Sequence, residues 1–275
     1  MSTIFITDLD GTLLGHDDFG FAVIRDDVLA FLAAGVPIIP NSSKTRAEVS
    51  FFCDQLGVRL PFICENGAAL VNADLLGADG TTLMPPSIMA GQPVGRLMSE
   101  WVRAVDPELR EQCLFIDALD PPRQTAILGL SGDDLARALA RQTADPPATM
   151  NAKTGFLRLA AQTGKAVFIT LEAEQHRKLA GQHDKSTFNS LIRDIHETGN
   201  RASSMIGFGD SENDLAMLCS VDIACVVPRP GAPLLRLHNP PDTVIIAPQP
   251  APEGWIFAAN EAVMVVQQKR QAAHG

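Results

Sequence analysis

The chain has 275 residues, 46% of them hydrophobic and 20% charged, with 32 acidic against 22 basic side chains and a formal net charge of −10. Such a length suits two domains, since single cores seldom grow past about 250 residues, and the composition excludes a disordered chain. The negative balance argues against duplex nucleic acid, which needs a basic face; an anionic metabolite remains open if a metal and a few local cations mask the site.

The short apolar run Thr3 to Thr7 ends on Asp-Leu-Asp-Gly, and its length suits a buried strand. Val28, Leu29, Leu32 and Ala33 have helical spacing within Asp26 to Ala34, which Gly35 ends. Val36 to Pro40 predicts a second strand, Ser43 to Leu56 a helix with a hydroxyl cap, and Pro61 to Cys64 a third strand. Strands alternating with helices in this way predict a parallel sheet with crossover helices.

From about Gly77 the rhythm changes, with paired prolines at Pro85-Pro86, Pro121-Pro122 and Pro146-Pro147. Helices are expected over Arg96 to Val105 and Asp133 to Gln142. Phe156 to Ala160 and Ala166 to Glu172 predict a hairpin across Gly164. After Gly181 the first rhythm returns: helix Ser186 to Glu197, strand Ser204 to Gly209, helix Glu212 to Cys219, strands Ile223 to Val227 and Thr243 to Ala247, and a closing helix from Pro252. The expected fold is α/β, a doubly wound parallel sheet of Rossmann-like type built from both chain ends, with an inserted α+β domain. The division is 1–82 and 183–275 for the core and 83–182 for the insertion.

Five scattered cysteines (Cys53, Cys64, Cys113, Cys219, Cys225) predict buried thiols in a reducing compartment. No stretch approaches the roughly 20 apolar residues of a membrane span, and no basic leader precedes Ile4. A cytoplasmic protein without a membrane or nucleic-acid partner is expected, as monomer or homodimer.

Chemistry-bearing residues follow the predicted strands: Asp8 and Asp10 after the first, Ser42 after the second, Asp210 after the later one. In open parallel sheets the binding crevice lies at the carboxyl ends of strands, so three carboxylates and a hydroxyl converge on one rim, within reach of Lys185. Converging carboxylates need a cation, and hard oxygen ligands suit Mg2+. Taken singly each feature has an ordinary reading: Asp-Gly is a common turn, Ser42-Ser43 a helix cap, Lys185 a solvated lysine, and Glu65-Asn66-Gly67 a plain turn.

Together, Asp8-Leu-Asp-Gly-Thr-Leu-Leu, Ser42, Lys185 and Gly209-Asp210-Ser-Glu-Asn213-Asp214 resemble the four motifs of haloacid dehalogenase superfamily phosphatases, in order. Asn41-Ser-Ser-Lys-Thr-Arg-Ala-Glu48, Glu65-Asn-Gly-Ala68, Val226-Val-Pro-Arg-Pro-Gly231 and Pro252-Glu-Gly-Trp255 are similar to the mannosyl-3-phosphoglycerate phosphatase family and its relatives.

The resemblance implies a Mg2+-dependent phosphomonoester hydrolase with a selectivity cap at 83–182. Asp8 would attack phosphorus to form an aspartyl-phosphate, Asp10 would serve as acid and then base, and Ser42 and Lys185 would bind the transferring group. Metal ligands would be Asp8, Asp10 through its carbonyl, Asp210 and Asp214. Ser43, Lys44, Arg46, Glu65, Asn66, Gly67, Lys165 and Asn213 would contact a small phosphorylated metabolite, with Lys165 as the cap's cation. The implied substrate is a phosphorylated glycosyl-glycerate; the competitors are another sugar phosphate (sucrose or hexose phosphate), a phosphosugar mutase, and a non-catalytic binding protein.

Overall fold

The computed structural model describes residues 2–77, 84–91, 99, 102–103, 107, 118–140, 183–197 and 203–274, and the strand backbones 156–160 and 166–170. The main sheet has the order β10-β9-β8-β1-β2, from β1 (Ser2–Thr7), β2 (Ile38–Pro40), β8 (Ser203–Gly209), β9 (Ile223–Val226) and β10 (Thr243–Ile246). All its pairings are parallel. The expected doubly wound α/β core is present.

Side chains alternate across a strand, so β1 feeds two cores. Phe5 faces α1 (Arg25–Ala33), α2 (Arg46–Leu56) and the long closing helix Glu253–His274, while Ile4 and Ile6 face α5 (Asn189–Glu197) and the short α6 (Leu215–Leu218). On the first side Phe5 packs edge-on against Phe31 and Phe208, both at 5.1 Å, and Trp255 closes the cluster. Such aromatic pairs add about 0.5–1.5 kcal/mol each beyond area burial.

Two expectations need correction. Helix α2 starts at Arg46, and its cap is Thr45 rather than Ser43: Thr45 accepts from the Glu48 N–H while the Glu48 carboxylate accepts from the Thr45 N–H. This reciprocal box outcompetes the earlier serines because only Thr45 has a glutamate three residues on. The third strand, β3 (Phe62–Cys64), meets the parallel sheet only through an isolated Asn41–Ile63 bridge. It belongs instead to an antiparallel sheet with β4 (Ala69–Val71) and β5 (Ser87–Met89). These short strands carry no alternating pattern.

A third finding is a helix the paired prolines obscured. Pro121 and Pro122 open α3 (Pro121–Leu128) behind the Asp120 cap, and Gly129 ends it in a left-handed conformation. Proline is well suited to a first helical turn, where its missing N–H costs nothing. The next helix, α4 (Gly132–Leu139), matches the expected start, and β6 (Phe156–Ala160) and β7 (Ala166–Thr170) form the expected antiparallel hairpin. The expected helix Arg96 to Val105 lies largely outside the described residues, as do Gln142 and Cys113. The other four cysteines are free thiols.

Helix α4 rests on the core. The Thr45 hydroxyl donates to the Arg137 carbonyl at 3.0 Å, and the Arg137 guanidinium lies 3.7 Å from the centre of the Phe51 ring. No helix among the described residues is long and apolar enough to cross a membrane.

Candidate active site

Strands β1 and β8 run side by side, so the loops leaving them meet. Asp8 follows β1, and its N–H donates to the Phe208 carbonyl; Asp210 follows β8. Gly11 permits the close approach of the two loops. It takes φ +78°, and a Cβ there would lie 2.7 Å from Asp210 Oδ2. Thr12 Oγ1 donates to Asp210 Oδ1 at 3.3 Å.

Lys185 occupies the centre. Its Nζ is 2.5 Å from Asp8 Oδ1 and 2.5 Å from Asp214 Oδ1, and its side chain is 0% exposed. Burial alone would lower the lysine, but Asp214 and then Asp8 reverse this and hold its pKa above the ordinary value. The backbone at Lys185 is fixed by Asn41, whose side-chain amide donates to the Lys185 carbonyl at 2.6 Å. Asp214 Oδ2 accepts from the Asp210 N–H and the Ser211 N–H. With Oδ1 on Lys185, both oxygens of Asp214 are engaged, which suits it to ordering the lysine and the loop.

The carboxylates crowd one another. Burial, reinforced by Asp214, Asp10 and Asp210 and opposed by Lys185, pushes the Asp8 pKa up to about 8. Burial and then Asp214 push Asp210 up to about 6, against Arg229 and Lys185. Single ligand oxygens from Asp8, Asp210 and Asp214 lie within 4.8 Å of one another, so the three could hold a metal ion. The donor set is all oxygen, buried and rich in negative charge, which fits a hard divalent cation.

Asp10 is half-buried, and its Oδ1 lies 2.9 Å from Lys44 Nζ. Lys44 also faces Glu48 at 3.8 Å and sits 4.8 Å from the Phe19 ring centre. Ser42 is fully buried; its Oγ accepts from the Lys44 N–H and its carbonyl accepts from the Asn66 N–H. Ser43 is buried beside it, and Arg46 is half-buried in the first turn of α2.

Glu65 and Asn66 are buried and both take φ +54°, followed by Gly67 at φ +90°. Three left-handed residues in succession are costly outside glycine. The turn is pinned on both sides: the Glu65 N–H donates to the Lys44 carbonyl, and a Cβ on Gly67 would collide with the Asp184 carbonyl. The turn thus wedges between the Ser42–Lys44 segment and the Asp184–Lys185 segment. Asn213 is exposed, its side-chain carbonyl accepting the Ser211 hydroxyl. Lys165 lies outside the described residues.

Three contacts were not read from the sequence. Arg229 Nε lies 3.3 Å from Asp210 Oδ2. Asn41 holds Lys185 as described. The buried Trp255 donates its indole N–H to Thr7 Oγ1 at 3.0 Å, and the Thr7 hydroxyl donates to the Asp8 carbonyl at 2.7 Å. Arg229 lies shortly past the end of β9, beyond Val227 and Pro228, so proximity to a strand end was the signal that could have found it.

No protein-family model matches the chain. It is 25% identical over 264 residues to a glucosyl-3-phosphoglycerate/mannosyl-3-phosphoglycerate phosphatase of Persephonella marina, covering 94% of this chain and 95% of the relative. A protein of the same description from Methanococcoides burtonii is 26% identical over 237 residues, covering 84% and 86%. Among solved structures, a haloacid dehalogenase-like hydrolase from Bacteroides thetaiotaomicron superposes with a TM-score of 0.51 at 13% identity, covering 90% of this chain and 94% of that one. The fold is that of the haloacid dehalogenase-like hydrolases. In sequence the chain is similar to phosphatases along nearly its whole length, in agreement with the resemblance drawn from its motifs.

Proposed function

We propose that the chain is a Mg2+-dependent phosphomonoesterase working through an aspartyl-phosphate on Asp8. The observation that carries this reading is the buried Lys185 clamped between Asp8 and Asp214, with Asp210 beside them. A buried charge with two partners is expensive to assemble, and a phosphoryl-transfer site is a use that repays it.

In this reading the Asp8 carboxylate attacks phosphorus while the Lys185 ammonium neutralises charge on the transferring oxygens. Asp10 gives its proton to the departing alkoxide and later takes one from the attacking water. Lys44, in contact with Asp10, orients that carboxyl, and Ser42 lends a hydroxyl to the phosphoryl group. Asp8, the Asp10 carbonyl and Asp210 would hold Mg2+, with Asp214 bracing Lys185 beside them; the ion would supply charge neutralisation at the phosphoryl oxygens. Residues 1–82 and 183–275 form the proposed core and 83–182 the cap, where Lys165 is the proposed cation for a substrate carboxylate.

The proposed substrate is a phosphorylated glycosyl-glycerate, supported by the two sequence relatives. The test is phosphate release from a panel containing glucosyl- and mannosyl-3-phosphoglycerate, sucrose phosphate and hexose phosphates, with Mg2+ and with EDTA. Release from the glycerate esters, lost in EDTA and restored by Mg2+, is expected. Preference for a hexose phosphate would move the substrate, and isomerised sugar phosphate without free phosphate would make the protein a mutase.

A further inference from the structure

We propose that Arg229 is a displaceable counterion: it holds Asp210 while the metal is absent, and turns to the phosphate of the substrate once the metal is bound. The proposal rests on the reading of Asp210 as a metal ligand. Its starting point is how charge is distributed in the site. Asp8, Asp10, Asp210 and Asp214 face three cations, and each carboxylate has one: Lys185 serves Asp8 and Asp214, Lys44 serves Asp10, and Arg229 serves Asp210.

The three cations are not equivalent. The Lys185 side chain is 0% exposed and locked by two carboxylates, whereas the Arg229 side chain is 38% exposed against 3% for its partner Asp210. Asp210 has both oxygens occupied, Oδ1 by the buried Thr12 hydroxyl and Oδ2 by Arg229. Each oxygen keeps a second lone pair, but a dication ligated by Asp210 would stand close to both neighbours. The neutral hydroxyl coexists with a nearby dication, while the guanidinium is repelled by it and has solvent to enter.

The surrounding chain suits such a movement. Arg229 stands between Pro228 and Pro230, whose rings fix φ, and the preceding Val227 N–H donates to the Gly209 carbonyl at 2.9 Å. The backbone is thereby tied to the strand that carries Asp210, and only the long side chain is left to move. Once freed, a planar guanidinium at the rim is well matched to a phosphate dianion.

The test is calorimetric titration of Mg2+ into metal-stripped wild type, Arg229→Gln and Arg229→Lys, with no phosphate present. Without its competitor, Arg229→Gln is expected to bind Mg2+ about two- to fivefold tighter, the scale of one half-exposed ion pair. Arg229→Lys is expected to stay near wild type. With Mg2+ saturating, inorganic phosphate is expected to bind Arg229→Gln more weakly. These opposite shifts are what a merely structural arginine would not give. Unchanged or weaker Mg2+ binding in a variant with an intact melting transition would overturn the counterion role, and unchanged phosphate binding would overturn the handover. Asp210→Asn is the separate control: if it binds Mg2+ like wild type, the metal assignment itself fails.

Discussion

Lys185 Nζ and Asp214 Oδ1 lie 2.5 Å apart with both side chains 0% exposed. Removing one member of such a pair leaves the other buried without compensation, at a cost of about 3–5 kcal/mol. Lys185→Met should therefore lose that much stability in urea unfolding, since Asp8 and Asp214 then face each other. Added Mg2+ should recover part of the loss. A change below about 1 kcal/mol would mean that the pair is not held as described.

Asp8→Asn separates chemistry from folding. The amide cannot attack phosphorus, so turnover should be abolished. Yet the substitution removes one charge from a crowded set whose burial raises Asp8 to about 8. The metal-free variant should be at least as stable as wild type, and its stabilisation by Mg2+ should be smaller. Turnover near wild type, with deamidation excluded by mass spectrometry, would rule out the nucleophile.

The raised carboxyls set a pH dependence of definite sign. Asp8 and Asp210 move from 3.8 to about 8 and about 6, so between those values the folded chain binds more protons than the unfolded one. The contribution of these two carboxyls to the stability of the metal-free protein then falls as pH rises from about 4, with that of Asp210 spent near 6 and that of Asp8 near 8, while half-buried His196, lowered by desolvation, acts in the opposite sense. In the proposed function Mg2+ would bind the deprotonated forms, so its increment in Tm should grow with pH. Thermal melts in EDTA and in Mg2+ between about pH 5 and pH 9 measure both slopes; a Mg2+ increment that shrinks with rising pH would contradict this account.

Trp255 gives a prediction about positioning. Trp255→Phe keeps an aromatic ring in the cluster but removes the N–H that Thr7 Oγ1 accepts. A net loss of about 0.5–1.5 kcal/mol is expected from the hydrogen bond, together with some underpacking. Because the Thr7 hydroxyl also holds the Asp8 carbonyl, kcat should fall while KM changes little. Thr7→Val should give the same kinetic signature, and an altered KM with normal kcat in both would place the effect elsewhere.

Much of this arrangement was legible in the sequence, for physical reasons that differ by element. Strands β1 and β8 announce themselves as apolar runs and helix α1 by apolar spacing, and the strand-end residues Asp8 and Asp210 follow from the strands as Ser42 does from β2. The antiparallel sheet β3-β4-β5 was not legible, because strands of three buried residues have no room for a period. Helix α3 was hidden by reading Pro121-Pro122 as a break rather than as a first turn behind Asp120. The contact of Arg229 with Asp210 depends on β9 lying beside β8, and that of Asn41 with Lys185 joins the end of β2 to the segment before α5; strand-end position marks both residues but not their partners.

The parallel pairing of β1 with β8 brings together residues some 200 positions apart, as in Ile4 opposite Met205. During synthesis at about 5–20 residues per second, the first strand emerges roughly 10–40 seconds before its neighbour exists. Through that interval an apolar strand offers an open edge, a template for pairing with another nascent chain. The polypeptide that will bear Asp8 is thus, for much of its time on the ribosome, an incomplete sheet, and slowing translation within the intervening segment should increase aggregation before any activity could be measured.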